Sequence, residues 1–210
     1  MLDRLMLSVL APTVQRLASA LVRRGATADA VTLAGAAVGL LGSGLVALGH
    51  PLAGLVLMAL GRLADGLDGA IARLTTPTAR GAFLDITLDF LFYASVPLAF
   101  AVLDPVRNAL PAAVLLAAFI GTGSSFLAFA ILAERQGLDS AAYPQKGFYY
   151  LGGLTEGTET LLCFTAMCLW PAAFPLLAFG FAALCGLTLL TRLSAGWTLL
   201  DAAPDKDIRP

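Results

Sequence analysis

Apolar residues run through this chain in six long stretches, 30–48, 52–74, 82–103, 109–133, 147–169 and 173–199. Each is close to the ~20 residues that a helix needs to cross a bilayer core. The punctuation between them is short: Gly49-His50-Pro51, Thr75-Thr76-Pro77-Thr78, Asp104-Pro105, the 134–146 segment and Trp170-Pro171. Proline removes a backbone donor and glycine relaxes the backbone, so each break predicts a turn. Before residue 30 the pattern changes. Leu2, Leu5, Val9, Leu10, Val14, Leu17, Leu21 and Val22 recur at near-helical spacing, interrupted by Arg4, Arg16, Arg23 and Arg24. That predicts an amphipathic helix lying on the membrane surface, split at Pro12, with its basic residues toward anionic headgroups. The whole reads as an all-α membrane protein with six transmembrane helices: an interfacial segment over 1–29, a helical membrane domain over 30–200 and a tail over 201–210.

Composition narrows the function classes. Hydrophobic residues make up 59% of the chain and charged residues 13%, and the mean hydropathy is +0.85, which belongs to a bilayer protein. Cys163, Cys168 and Cys185 all sit in apolar runs without a CxxC or a nearby histidine, so neither a metal knuckle nor a disulfide framework is indicated. With 13 Lys+Arg against 14 Asp+Glu there is no basic excess for nucleic acid. The N-terminus lacks the plan of a cleaved leader. If it lies inside, Arg4, Arg16, Arg23, Arg24, Arg80, Arg135, Lys146, Lys206 and Arg209 are all cytoplasmic and only Arg107 is outside. Both termini and the 75–81 turn are then expected at the cytoplasmic face.

Four acids stand out against this background: Asp65 and Asp68 near the end of the second stretch, Asp85 and Asp89 near the start of the third. An acid inside a membrane helix costs about 2.5–3.5 kcal/mol on the insertion scale, so the group requires compensation. Arg62, Arg73 and Arg80 offer one explanation, ion pairing. Spacing favours another. Residues three apart lie about 60° round a helix and residues four apart about 40°, so each pair projects from one face. Two antiparallel helices joined by the 75–81 turn are expected to bring the pairs together, and facing carboxylates select a hard cation. Mg²⁺, or Mn²⁺, suits the site best, because magnesium keeps places for substrate phosphates. Gly61, Gly69, Ala72, Gly81 and Ala82 leave room for a base or phosphate to approach the backbone, although tight helix packing also enriches small residues.

The run Asp65-Gly-Leu-Asp68-Gly69-Ala-Ile-Ala72-Arg73, followed by Gly81-Ala-Phe-Leu-Asp85-Ile-Thr-Leu-Asp89, resembles the signature DxxDGxxAR…GxxxDxxxD of the CDP-alcohol phosphatidyltransferases. The gap between Arg73 and Gly81 is one residue tighter than is usual in that family. The resemblance implies six transmembrane helices, an N-terminal surface helix and a homodimer. It also implies that Asp65, Asp68 and Asp85, joined by Asp89, hold two Mg²⁺ or Mn²⁺ ions, and that Asp89 is the base for the attacking alcohol. Gly69, Ala72 and Gly81 would line a cytidine pocket and Arg73 would meet the diphosphate. The implied reaction transfers a phosphatidyl group from CDP-diacylglycerol to an alcohol, releasing CMP, at the cytoplasmic membrane. Such chemistry needs charge neutralisation on the phosphates and a proton acceptor, which these residues supply.

The acceptor side is less determined. Arg80, Arg135 and Lys146 are the cytoplasmic cations available for a phosphate. Glu156 and Glu159, three apart in the fifth stretch, either hydrogen-bond an acceptor hydroxyl or pair with Arg62 or Arg192. Gly121-Thr-Gly-Ser-Ser125 predicts close helix packing, with a dimer contact as one use. Two alternatives stand beside the main reading: transfer of a soluble CDP-linked headgroup to a lipid alcohol, and a cation transporter. The second is disfavoured because the acids cluster at one end of two helices beside an arginine and glycines, where a transporter spreads them along a path.

Overall fold

The computed structural model describes residues 2–136 and 155–201, and every regular element among them is helical. In order these are α1 (Leu2–Arg23), α2 (Ala28–Ala47), α3 (Pro51–Leu74), α4 (Ala79–Leu103), α5 (Pro105–Gln136), α6 (Gly157–Leu169) and α7 (Phe174–Asp201), with a 3₁₀ turn over Pro171–Ala173 before the last. Among the described residues four segments, Ala28–Ala47, Ala79–Leu103, Pro105–Ala133 and Pro171–Leu199, are long and apolar enough to cross a membrane. The helix α3 is as long but carries Arg62, Asp65, Asp68 and Arg73. Of the fifth apolar stretch, 147–154 lies outside the described residues and α6 begins only at Gly157.

The helix boundaries follow the local chemistry. Thr27 caps α2 by accepting a hydrogen bond from the Ala30 amide at 3.3 Å, and Thr78 caps α4 by accepting from the Gly81 amide at 3.0 Å. Gly25 and Gly49 end α1 and α2 with φ of 82° and 88°, a conformation that costs glycine nothing. One expectation fails: α1 runs unbroken through Pro12. A proline removes one internal hydrogen bond, and a helix can absorb that loss without dividing. Ala18 of α1 packs on Ala70 and Ile71 of α3, with Val14, Leu21 and Val22 beside it, so part of the apolar side of α1 is covered by the bundle.

The second helix is the centre of the arrangement: α2 packs along both α3 and α4, while α3 and α4 approach each other only sparsely despite the short turn joining them. A side-chain-free seam makes the α2–α3 contact possible. A Cβ added at Gly42 would stand 2.7 Å from the Gly54 carbonyl oxygen, and one at Gly61 would stand 2.8 Å from the Gly35 carbonyl oxygen. Helices in lipid gain by such close approach, since apolar side chains gain little from leaving the tails. On the α4 side, Gly39 lies against Phe92 and the Ser43 and Ser95 hydroxyls are 2.7 Å apart. Away from the acids, Phe100 of α4 stacks on Phe174 of α7 with ring centroids 4.5 Å apart, and α5 packs along α4 and α7. Outward-facing residues such as Leu41, Val56, Ile120 and Leu190 are more than half exposed, as a lipid-facing surface requires.

This seam fixes an expected outcome. Gly42→Ala should destabilise the purified protein in detergent by about 1–3 kcal/mol, because the new methyl group meets backbone that cannot give way. Gly44→Ala on the same helix has nothing within 4 Å and should leave the melting temperature unchanged or slightly raised. Comparable melting of the two variants would show that α2 and α3 are not so closely apposed.

Candidate metal centre between α3 and α4

The Thr78 cap sets where α4 starts, and this places Asp85 and Asp89 on its second and third turns opposite Asp65 and Asp68 near the end of α3. The two helices stand apart with α2 packed against both, and the carboxylates themselves bridge the space. Asp65, Asp68 and Asp85 each offer an oxygen, and these oxygens lie within 4.8 Å of one another.

Asp68 provides the test of whether a cation fits. It is 5% exposed, and its Oδ2 is buried without a hydrogen-bond partner. A carboxylate oxygen left so is expensive, by several kcal/mol in order of magnitude, unless something positive completes it. An all-oxygen group of this spread suits a hard divalent ion, with small side-chain adjustments drawing the ligands to the 2.0–2.6 Å range typical of such ions. Asp65, Asp68 and Asp85 are therefore the residues that would hold it.

Asp89 is arranged differently. Its Oδ1 accepts from Nη1 of Arg62, whose Nη2 lies 3.4 Å from Asp65 Oδ1. The Arg62 guanidinium sits over the Phe92 ring at 4.4 Å and within 5.9 Å of the Tyr93 ring centroid. Ion pairing through Arg62 thus compensates part of the acid cluster. Its signal in the sequence was its place three residues before Asp65, on the same helix face.

The neighbouring small residues divide. Gly81 faces a cradle: a Cβ there would stand 3.1 Å from both Asp29 Oδ1 and Thr78 Oγ1. Gly69 and Ala72 are half-buried on α3, and the Arg73 guanidinium lies 3.4 Å from where a Gly69 side chain would begin, with Arg73 itself exposed. Gly61 leaves the group, because the packing of α3 on Gly35 and Gly39 occupies its open side.

The acceptor candidates are scattered. Arg80 is held by Asp29, with Nε and Nη2 donating to its Oδ2 at 2.9 and 2.5 Å. In the sequence Asp29 is a lone acid before the first apolar stretch; only the fold brings it within reach of a residue 51 positions away. Glu156 and Glu159 form a capping box at the start of α6, in which the Glu156 amide donates to Glu159 Oε2 at 3.2 Å. Neither meets Arg62, which the aspartates engage. Arg192 donates to the Thr122 carbonyl at 2.9 Å. Arg135 lies in the last turn of α5, its side chain outside the described residues, as is Lys146 altogether. Gly121 packs on Leu189 and Gly123 on Phe90, so this cluster serves helix packing within the chain.

A family model described as CDP-alcohol phosphatidyltransferase matches residues 26–197. The inner membrane protein YnjF of Escherichia coli (strain K12) is 52% identical over 200 residues, which span 95% of this chain and 97% of that protein. Two crystal structures of Mycobacterium tuberculosis phosphatidylinositol phosphate synthase (PgsA1) share the fold. The one with CDP-DAG bound has a TM-score of 0.67 at 24% identity, covering 94% of this chain and 98% of that one. The one in complex with manganese and citrate has a TM-score of 0.66 at 25% identity, covering 94% and 93%.

Divalent ion binding is open to a direct check. At about 100 times its dissociation constant, Mn²⁺ should stabilise the protein by about 2.7 kcal/mol and raise the melting temperature accordingly. Asp68→Asn should abolish most of that rise. An equal rise in the variant would remove Asp68 from the ligand set.

Proposed function

The chain belongs to the CDP-alcohol phosphatidyltransferase family, a family of membrane enzymes, and on that premise we propose that it transfers a phosphatidyl group from CDP-diacylglycerol to an alcohol acceptor and releases CMP. The observation that carries this reading is the convergence of Asp65, Asp68 and Asp85, whose oxygens lie within 4.8 Å of one another, with Asp89 beside them on Arg62. The bound CDP-DAG of PgsA1, in the same fold, supports the choice of donor.

In this reading the chain works as a six-span homodimer, and the distribution of lysine and arginine about its apolar stretches supports an orientation with both termini and the site on the cytoplasmic side. The diacylglycerol tails lie in the bilayer and the nucleotide enters from the cytoplasm. Gly81, whose missing side chain leaves the cradle beside Asp29 and Thr78 open, lets the cytidine approach the helix start. Arg73, exposed along the Gly69 face, meets the diphosphate with a fork suited to phosphate oxygens. Asp65, Asp68 and Asp85, with Asp89 beside them, would hold two divalent ions, Mg²⁺ by preference, which would neutralise the diphosphate oxygens and make CMP a better leaving group. Asp89 takes the proton of the acceptor hydroxyl as that oxygen attacks the β-phosphorus in line, on the side away from CMP. The α3–α4 gap excludes competing water once lipid and acceptor fill it.

The test is to incubate purified protein with CDP-diacylglycerol, Mg²⁺ and a panel of alcohols, and to follow CMP by mass. Release should depend on Mg²⁺ and on one class of alcohol, and Asp89→Asn should lower kcat by about 10²–10⁴. Silence with CDP-diacylglycerol but turnover with a soluble CDP-linked headgroup and diacylglycerol would reverse the direction of transfer. No CMP from any CDP-alcohol would overturn the reaction.

A further inference from the structure

The end of the bundle away from the acids carries a concavity that the proposed transfer reaction does not use. Between the first turns of α5 and α7 lies a cavity of about 430 Å³. Two prolines, Pro111 and Pro175, stand in its lining, where their compact rings reach less far than the leucines beside them. Leu110 and Leu176 form its rims, 68% and 76% exposed, and Phe179 lines it farther along α7. From Ala172 to Phe179 this wall runs roughly 10 Å, at the helical rise of about 1.5 Å per residue. Every side chain in the lining is apolar except that of Arg107.

Arg107 lies in the first turn of α5, and its Nη2 donates to the Ala172 carbonyl at 2.7 Å, so the guanidinium crosses to the 3₁₀ turn at one end of the cavity. A guanidinium carries five N–H donors, and this contact takes one. Trp170, 61% exposed, stands two residues before Ala172. An exposed tryptophan at the end of an apolar span favours the level of the lipid headgroups. From that level the apolar walls descend toward the middle of the bundle. A cation at headgroup depth with an apolar channel beneath it repeats the polar-to-apolar order of a phospholipid. A soluble anion could use the cation but not the channel. A second copy of the chain, set symmetrically, would need an acid for Arg107. Among the described residues of this end that acid is Asp104, whose Oδ1 already accepts from the Arg107 amide at 3.1 Å.

We infer that this cavity binds an anionic phospholipid of the leaflet opposite the acids, with its phosphate on Arg107 and an acyl chain along Leu110, Leu176 and Phe179. The site stands independently of the transfer reaction. An arginine fork takes two phosphate oxygens at once. In a zwitterionic lipid the headgroup's own ammonium competes for those oxygens, so a headgroup without one is preferred. Seating an acyl chain on the walls gains little over the surrounding bilayer, because lipid tails are as apolar as leucine. Discrimination between lipids therefore comes from Arg107, while the cavity fixes where the chosen lipid sits.

The experiment uses the full chain with Trp197→Phe, which leaves Trp170 as its single tryptophan. It is placed in nanodiscs of phosphatidylcholine containing a graded share of phosphatidylglycerol or phosphatidylethanolamine, brominated on the acyl chains. Bromine quenches a tryptophan it touches, so the fluorescence of Trp170 reports which lipid sits beside it. Phosphatidylglycerol should reach half-maximal quenching at a share about fivefold below that of phosphatidylethanolamine, the preference that one arginine near an anionic headgroup provides. Arg107→Gln should bring the two lipids level. Arg107→Lys keeps the charge but not the fork and should retain part of the preference. Ala172→Phe, which fills the cavity beside the guanidinium, should remove the preference although Arg107 is still present. Equal quenching by the two lipids with Arg107 in place overturns the inference, as does a preference that survives Arg107→Gln. Shielding of Trp170 from both brominated lipids overturns it too, since a second copy then covers the cavity. Should Arg107→Gln fail to fold, Ala172→Phe decides: an intact preference there overturns the inference.

Discussion

Like charges brought together in an apolar bundle repel with little water to screen them, and the architecture of this protein is arranged around that constraint. Four carboxylates approach one another from α3 and α4, and their mutual repulsion is met in two separate ways. Asp89 and Asp65 share a protein cation, Arg62, while Asp68 keeps a buried oxygen that lacks a hydrogen-bond partner. The first solution is permanent and the second is open to an exchangeable ion. A site built wholly on ion pairs would be stable and inert, and one built wholly on unsatisfied acids would be difficult to fold before any ion arrived.

The space between the two helices depends on α2. Because α2 packs on both α3 and α4, the acid-bearing helices share a turn without closing on each other. The resulting gap is wide enough to be spanned by side chains and too wide for the backbones to meet. At the other end of the bundle the Phe100–Phe174 stack and the packing of α5 on α4 and α7 tie the helices together. The acids lie toward the other end, where the Thr78 cap and the Arg80–Asp29 pair stand.

Much of this was legible in the residues. The apolar stretches located α2 to α5 and α7 to within a few positions, because length and hydropathy are local properties of the chain. The acid signature located the site for the same reason: Asp65 and Asp68, like Asp85 and Asp89, are each separated by about one helical turn. What the sequence hid is relational. Nothing in the run of residues around Pro12 says that a helix will tolerate the lost hydrogen bond. Glu156 and Glu159 read as buried acids in a span until the helix start fell between them and made them caps. The pairing of Arg62 with Asp89, the capture of Arg80 by Asp29, and the use of Gly61 for packing all depend on which helix α2 touches and how closely. Those distances are set by glycines whose effect appears only when two helices are laid together.

Gly39 gathers these threads. On one side it lies under Gly61 of α3, where a Cβ at Gly61 would stand 2.9 Å from its nitrogen. On the other, a Cβ at Gly39 would meet the Phe92 ring at 3.0 Å, and that ring carries the Arg62 guanidinium. The hydrogen that glycine has in place of a side chain therefore sets how far the ring can lean, and through the ring where the arginine rests. A lineage could drift through many leucines on the lipid face without consequence, yet a single methyl group here would be felt at Arg62 and the acids it grips, although it touches none of them. Selection acting on this enzyme would guard a position with no chemical function of its own, and a survey of tolerated substitutions would map an active site larger than the set of groups that react.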